Sequence, residues 1–172
     1  MTKQSNRKNR IFFSNSLQGV KHKDPEFGYK LVQHIKSMGY DVLSEHVAAK
    51  NSNERDALFL RKTGMDRKDL KGQELWINAY KIDMDWVDEA DYLIAVVDGP
   101  SHGVGMEIMR ALLKEERGLN RTEILCLVNE EKLEALTWML KGIPKKYNNF
   151  QIKTYKNLQT AIKAVKSVLD SR

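Results

Sequence analysis

The chain has 172 residues, 41% of them hydrophobic, which predicts a single globular domain long enough to bury a substantial core. No apolar run approaches the ~20 residues that span a bilayer, and residues 1–10 lack the apolar segment of a signal peptide. Together with the single cysteine, Cys126, these features argue against a membrane partner and a disulfide framework, and they favour a cytoplasmic protein.

The formal net charge is +6, and basic residues crowd the first ten positions, which we expect to form a disordered tail. Further lysines are spread over the last third of the chain. No aromatic residues are interleaved with them, as a stacking platform for bases would require, so we do not expect a nucleic-acid partner. The surplus positive charge favours small phosphorylated anions instead.

The first predicted strand, residues 11–14, ends in a small, polar, glycine-containing loop at residues 15–19. Open α/β sheets bind their ligands at such loops, beyond the carboxyl ends of the strands. Asp24 predicts the N-cap of an amphipathic helix with Pro25 at its first position, and Gly39 predicts its end.

A second strand is predicted at residues 40–43, and His46 follows it. From its position alone, His46 is equally a ligand contact or a structural histidine. Residues 50–72 are polar and charged, with only a short helical patch around residues 57–61 and no clear core face. They predict an insert, such as a flap or mobile loop, within the domain.

The next predicted helix, residues 73–90, has one charge inside its apolar arc. At ~100° per residue, Asp83 is the only charged side chain on that face. A buried carboxylate responds by raising its pKa or by finding a specific partner. Asp83 is therefore a candidate proton donor, with a loop-capping aspartate as the alternative. The apolar arc consists of Leu75, Trp76, Ala79, Ile82, Trp86 and Val87.

After a third strand comes the sequence DGPSHGVGME, which predicts a loop and the start of a helix over residues 103–116. Ser101, Gly103 and Gly105 are typical of a helix N-terminus that can hold a phosphate. Glu107 lies one turn further on, at the edge of the apolar arc, so the helical wheel leaves its role open.

The remaining elements alternate in the same way. Strands are predicted at residues 92–97, 123–128 and 150–155, and helices at residues 131–141 and 157–169. This alternation predicts an α/β fold, a five-stranded parallel sheet of Rossmann-like or flavodoxin-like type with helices on both faces. We interpret residues 11–172 as that single domain.

Two carboxylates beside a serine- and glycine-rich phosphate loop suit the cleavage of a glycosidic bond to a nucleobase. One carboxylate attacks the anomeric carbon or stabilises its positive charge, and the other protonates the departing base. Ser16 and Ser101 could hold a 5′-phosphate. The sequence has no P-loop, full dinucleotide fingerprint, metal-ligand spacing or GxSxG elbow, so we expect neither cofactor nor metal.

Four segments resemble the 2′-deoxynucleoside 5′-phosphate N-hydrolases, a branch of the nucleoside 2-deoxyribosyltransferase superfamily. They are IFFSNSLQG (11–19), VLSEHVA (42–48), DMDWVDEAD (83–91) and PSHGVGME (100–107). The resemblance implies hydrolysis of a (deoxy)nucleoside 5′-monophosphate to free base and (deoxy)ribose 5-phosphate. It also implies that Glu107 is the nucleophile, forming a glycosyl-enzyme ester, and that Asp83 is the general acid.

The same resemblance implies the substrate contacts and the assembly. A homodimer is implied, in which Thr137 takes the place of a serine supplied across the interface. Gln18 replaces a family arginine and Phe12 a family tyrosine, which leaves open how strictly the phosphate is required and whether the sugar is ribose or deoxyribose. The substrate-binding residues implied are Phe12, Ser16, Gln18, Gly19, His46, Ser101, Gly103, Gly105 and Thr137.

Two other functions stay open. A nucleoside 2-deoxyribosyltransferase would exchange bases on unphosphorylated deoxynucleosides, and Gln18 favours it. A non-catalytic nucleotide-binding module would need neither carboxylate, and the presence of both Asp83 and Glu107 argues against it.

Overall fold

The computed structural model describes residues 9–16 and 24–171. Five strands form one sheet in the order β2-β1-β3-β4-β5, and every neighbouring pair is parallel. This confirms the predicted fold and gives it the flavodoxin-like strand order. The strands are β1 (Arg10–Asn15), β2 (Asp41–Val42), β3 (Tyr92–Val96), β4 (Glu123–Asn129) and β5 (Phe150–Tyr155).

Helices cover both faces of the sheet. Side chains alternate between two cores, so that Phe13 packs with the α1 and α6 side and Phe12 with the α3 and α4 side. The helices are α1 (Phe27–Ser37), α2 (Ser52–Thr63), α3 (Gly72–Glu89), α4 (His102–Leu112), α5 (Trp138–Gly142) and α6 (Leu158–Leu169). None of the helices in the described ranges is long and apolar enough to cross a membrane.

The start of α1 differs from its prediction. Asp24 accepts hydrogen bonds from the backbone N–H of Glu26 at 3.0 Å and, through its carbonyl, of Phe27 at 3.1 Å. These bonds close a turn before the helix, so Glu26 is the N-cap and Asp24 is not. The predicted end is confirmed, because Gly39 adopts the positive φ of +92° that favours glycine after a helix.

The helix predicted at residues 131–141 is wrong as one element. A 3-10 turn covers Glu130–Lys132, and α5 begins only at Trp138. The Thr137 hydroxyl accepts a hydrogen bond from the Met139 N–H at 3.3 Å and caps the new helix, a role in which threonine competes with helix continuation.

The first half of α3 departs from its predicted apolar arc, because Trp76 is 68% exposed. An 18-residue helix is ~27 Å long and a five-residue strand ~17 Å, so α3 extends past the sheet that buries its second half. Within residues 50–72, α2 is longer than the predicted patch and buries Phe59, which supplies a core contact that the polar sequence did not indicate.

Candidate active site

A cavity of about 610 Å³ lies at the carboxyl ends of β1, β2 and β3. Chain order reverses between β1 and β3, and ligands of open α/β sheets bind at this switch point. The loop after β1, the turn after β2 and the loop after β3 all reach the cavity. Asp83 from α3 and Glu107 from α4 complete its wall.

Glu107 is held one turn inside α4. The Ser101 hydroxyl accepts a hydrogen bond from the Val104 N–H at 3.4 Å and so caps the helix. The Ser14 hydroxyl donates a hydrogen bond to Glu107 Oε2. A Cβ at Gly103 would lie 3.9 Å from Glu107 Oε1, so glycine leaves the space beside the carboxylate open. Burial raises the pKa of Glu107, and the Ser14 hydrogen bond opposes that rise.

Asp83 has the environment of a proton donor. Burial and the nearby negative charge of Glu107 raise the pKa of Asp83 to about 7, although the positive charge of Arg67 acts to lower it. A general acid works best when its pKa lies near the operating pH. The two carboxyl groups thus share one cavity in unlike surroundings, which is the arrangement that separates an acid from a nucleophile.

His46 lines the cavity from the 3-10 turn Glu45–Ala48 that follows β2. Burial and the positive charges of Arg67 and Arg55 lower its pKa to about 4, so the ring is neutral at neutral pH. The His46 ring centroid lies 5.4 Å from that of Phe59 and 5.7 Å from that of Trp86. His46 therefore contributes a neutral, aromatic-packed surface and not a cation.

The two predicted phosphate loops meet at one end of the cavity. The Ser16 hydroxyl donates to the carbonyl of Pro100 at 3.5 Å, which joins the loop after β1 to the loop after β3. Ser16, Ser101, His102 and Gly103 all line the cavity there. This end combines hydroxyl groups with the N-terminus of an eleven-residue helix, a favourable setting for an anion.

Comparisons with known proteins identify the family of this chain. No protein-family model matches the chain. A Thermofilum pendens protein, named as a 2′-deoxynucleoside 5′-phosphate N-hydrolase 1, is 32% identical over 140 residues, 81% of each chain. A 5-hydroxymethyl-dUMP N-hydrolase of Esox lucius is 32% identical over 146 residues, 85% of this chain and 86% of its own. The chain belongs to the 2′-deoxynucleoside 5′-phosphate N-hydrolase family.

A solved structure supports the fold of this family member. The Clostridium botulinum CMP N-glycosidase BcmB superposes with a TM-score of 0.57 at 17% identity, covering 92% of this chain and 98% of its own. At that identity the likeness concerns the fold.

The family resemblance named residues that the structure does not bring into the cavity. Phe12 faces the same side of β1 as Ser14 but one pleat deeper, so it is 1% exposed and packs in the core. Gly105 lies on the exposed side of α4, and the exposed Thr137 caps α5. None of these three lines the cavity of its own chain, and Gln18 and Gly19 lie outside the described residues.

The cavity residues that sequence reasoning missed include Ser14, Arg55, Phe59 and Arg67. Strand alternation could have indicated Ser14, because it is the last small polar residue on the face of Phe12. Arg55, Phe59 and Arg67 carried no such signal, since they lie in the segment interpreted as an insert, and only its folding over the cavity makes them part of the site.

Proposed function

We propose that the chain hydrolyses the N-glycosidic bond of (deoxy)nucleoside 5′-monophosphates and releases a free nucleobase and (deoxy)ribose 5-phosphate. The observation that carries this proposal is the pair Asp83 and Glu107 in one cavity, with a pKa near 7 on the first and a hydroxyl donor on the second. Relatives named as N-hydrolases support the same reaction class.

The first chemical step is a displacement at the anomeric carbon. A Glu107 carboxylate oxygen attacks C1′, the bond from C1′ to the base nitrogen breaks, and its electron pair leaves with the base. Asp83 donates its proton to the base, so the base departs neutral. Ser14 holds the attacking carboxylate in place and stabilises its negative charge before the attack.

The second step returns the protein to its starting state. Asp83, now ionised, takes a proton from water, and the water oxygen attacks C1′. The ester bond to Glu107 breaks, which regenerates the carboxylate and leaves a hydroxyl on the sugar. One nucleotide and one water give one base and one sugar phosphate.

The substrate phosphate binds at the end of the cavity formed by Ser16, Ser101 and the N-terminus of α4. The Ser16 and Ser101 hydroxyl groups and the helix dipole lie at this end, and the Ser16 O–H turns from the Pro100 carbonyl to donate to the phosphate. The sugar then lies between this end and the two carboxyl groups, with C1′ directed to Glu107.

A panel of nucleoside 5′-monophosphates, with the matching nucleosides as controls, tests this function by chromatography of the released base. Hydrogen bonds to a charged group contribute ~1.5–3 kcal/mol each, so we expect at least about 10-fold faster release from monophosphates than from nucleosides. If the chain instead exchanged the base of a nucleoside for an added free base faster than it hydrolysed monophosphates, it would be a transferase. Monophosphate binding without any release would identify a non-catalytic module.

The proposal includes a homodimer in which Thr137 reaches the cavity of the partner subunit. Exposed apolar side chains on α3 and α4, two helices that pack together, provide a candidate interface. They are Trp76, Ile77, Tyr80, Met106 and Met109.

Mixing two variants tests the dimer. Glu107→Gln and Thr137→Ala should each reduce base release, and a refolded mixture should exceed the mean of the two parents. The reason is that a mixed dimer contains one cavity with both Glu107 and Thr137 intact. A mixture that shows only the mean, or a monomer by light scattering, would contradict shared sites.

A further inference from the structure

Two arginines line the cavity close to His46. Arg55 belongs to α2, and Arg67 to the segment after it. The Arg67 guanidinium lies 5.7 Å from the Phe59 ring centroid, and the Phe59 ring packs against His46. Arg67 pairs with Asp56 only at 3.7 Å, and Arg55 Nε is buried without a hydrogen-bond partner among the described residues. Buried N–H groups are seldom left unpaired, so this wall is suited to a ligand that accepts hydrogen bonds.

The position of this wall along the cavity follows from its neighbours. Arg67 stands within electrostatic range of both Asp83 and His46, and Arg55 within range of His46. His46 also packs on Trp86, which lies one turn beyond Asp83 on α3. A nucleotide with its phosphate at Ser16 and Ser101 and its anomeric carbon at Glu107 therefore directs its base past Asp83 toward the arginines.

The guanidinium groups of Arg55 and Arg67 are hydrogen-bond donors only. A guanidinium presents five N–H groups and accepts no hydrogen bond. Protonated Asp83 donates as well. Such groups would bind a carbonyl oxygen on the base. An exocyclic amino group in the same place is itself a donor, so the N–H groups of the arginines would have no acceptor.

We propose that Arg55 and Arg67 select nucleobases with a carbonyl oxygen at C4 of a pyrimidine or C6 of a purine, as in uracil and guanine, over those with an amino group at that position, as in cytosine and adenine. Arg67, the nearer to Asp83, also stabilises the negative charge that builds on the base as its bond to C1′ breaks. This inference rests on the proposed function, since it names the base class that the same site accepts.

The test compares kcat/KM for dUMP with dCMP, and for dGMP with dAMP, in the wild type and in Arg67→Gln. A matched control is Lys68→Gln, which removes a neighbouring exposed charge that does not line the cavity. Loss of a bidentate contact should lower kcat/KM by about 10-fold or more for dUMP and dGMP and by under about 3-fold for dCMP and dAMP. Arg67→Lys, which keeps the charge but not the planar fork, should recover only part of that loss.

Two results would overturn the inference while leaving the proposed function intact. One is an equal loss on all four substrates. The other is a loss of kcat/KM that is seen with nucleotides but not with the matching nucleosides. That result would show that the arginines contact the phosphate and not the base. Binding of free uracil and cytosine to Glu107→Gln protein supplies a readout independent of turnover. Tighter binding of uracil that depends on Arg67 is expected, and equal binding of the two bases would contradict the inference even if no substrate is hydrolysed.

Discussion

Glu107→Gln is expected to lower kcat by about 10³-fold or more, because glutamine keeps the shape of the side chain but cannot attack the anomeric carbon as a carboxylate. A loss of that size corresponds to ~4 kcal/mol of barrier, well above what an exposed glutamate contributes. Glu116→Gln is the matched control, since Glu116 is exposed and lies beyond the end of α4. Single-turnover release of base measures the effect.

The same variant tests the covalent step. Acid-quenched wild-type protein should carry one sugar phosphate by intact mass, and Glu107→Gln protein should carry none. Base release at the wild-type rate from the variant would exclude Glu107 as the nucleophile. A slow variant combined with an unmodified wild type would leave Glu107 as a stabiliser of a charged transition state and would remove the ester from the mechanism.

Asp83→Asn is expected to lower kcat by about 10²–10⁴-fold and to remove the decline of the rate at alkaline pH. The pKa of Asp83 is raised to about 7, so the wild type holds the transferable proton below that pH and loses it above. The wild-type rate should therefore fall as pH rises through about 7. Asp85→Asn, an exposed position on the same helix, is the control. A variant that keeps the alkaline decline would show that another group donates the proton.

The same substitution is expected to stabilise the fold. Between the ordinary aspartate pKa of 3.8 and about 7, the folded chain holds a proton that the unfolded chain has released. Asp83 thus lowers the free energy of unfolding progressively as pH rises through this window. Asp83→Asn should raise Tm by roughly 2–4 °C at pH 8 and by less at pH 5, as thermal unfolding by circular dichroism would record. An unchanged or lower Tm of the variant at pH 8 would contradict the conclusion that ionised Asp83 destabilises the fold.

Residues 50–72 illustrate how a polar segment can belong to a site. Their composition indicated an insert without a core face, yet α2 packs against the turn that carries His46 and buries Phe59. This packing brings Arg55 and Arg67 to the cavity. Composition reports the average polarity of a segment, whereas one buried aromatic side chain, together with the ion pairs Arg61–Glu45 and Lys62–Asp41, holds this segment over the neighbouring turn.

The sequence by itself indicated the five strands and the Asp83 carboxylate, because both depend on local periodicity. A charge inside an apolar arc identified Asp83, and the helix start at Ser101 placed Glu107 one turn further on. Only the tertiary structure decided that these two groups share a cavity, that Ser14 and not Phe12 reaches it, and that two arginines line it. Those facts depend on contacts between residues far apart in the chain, and local periodicity carries no information about such contacts.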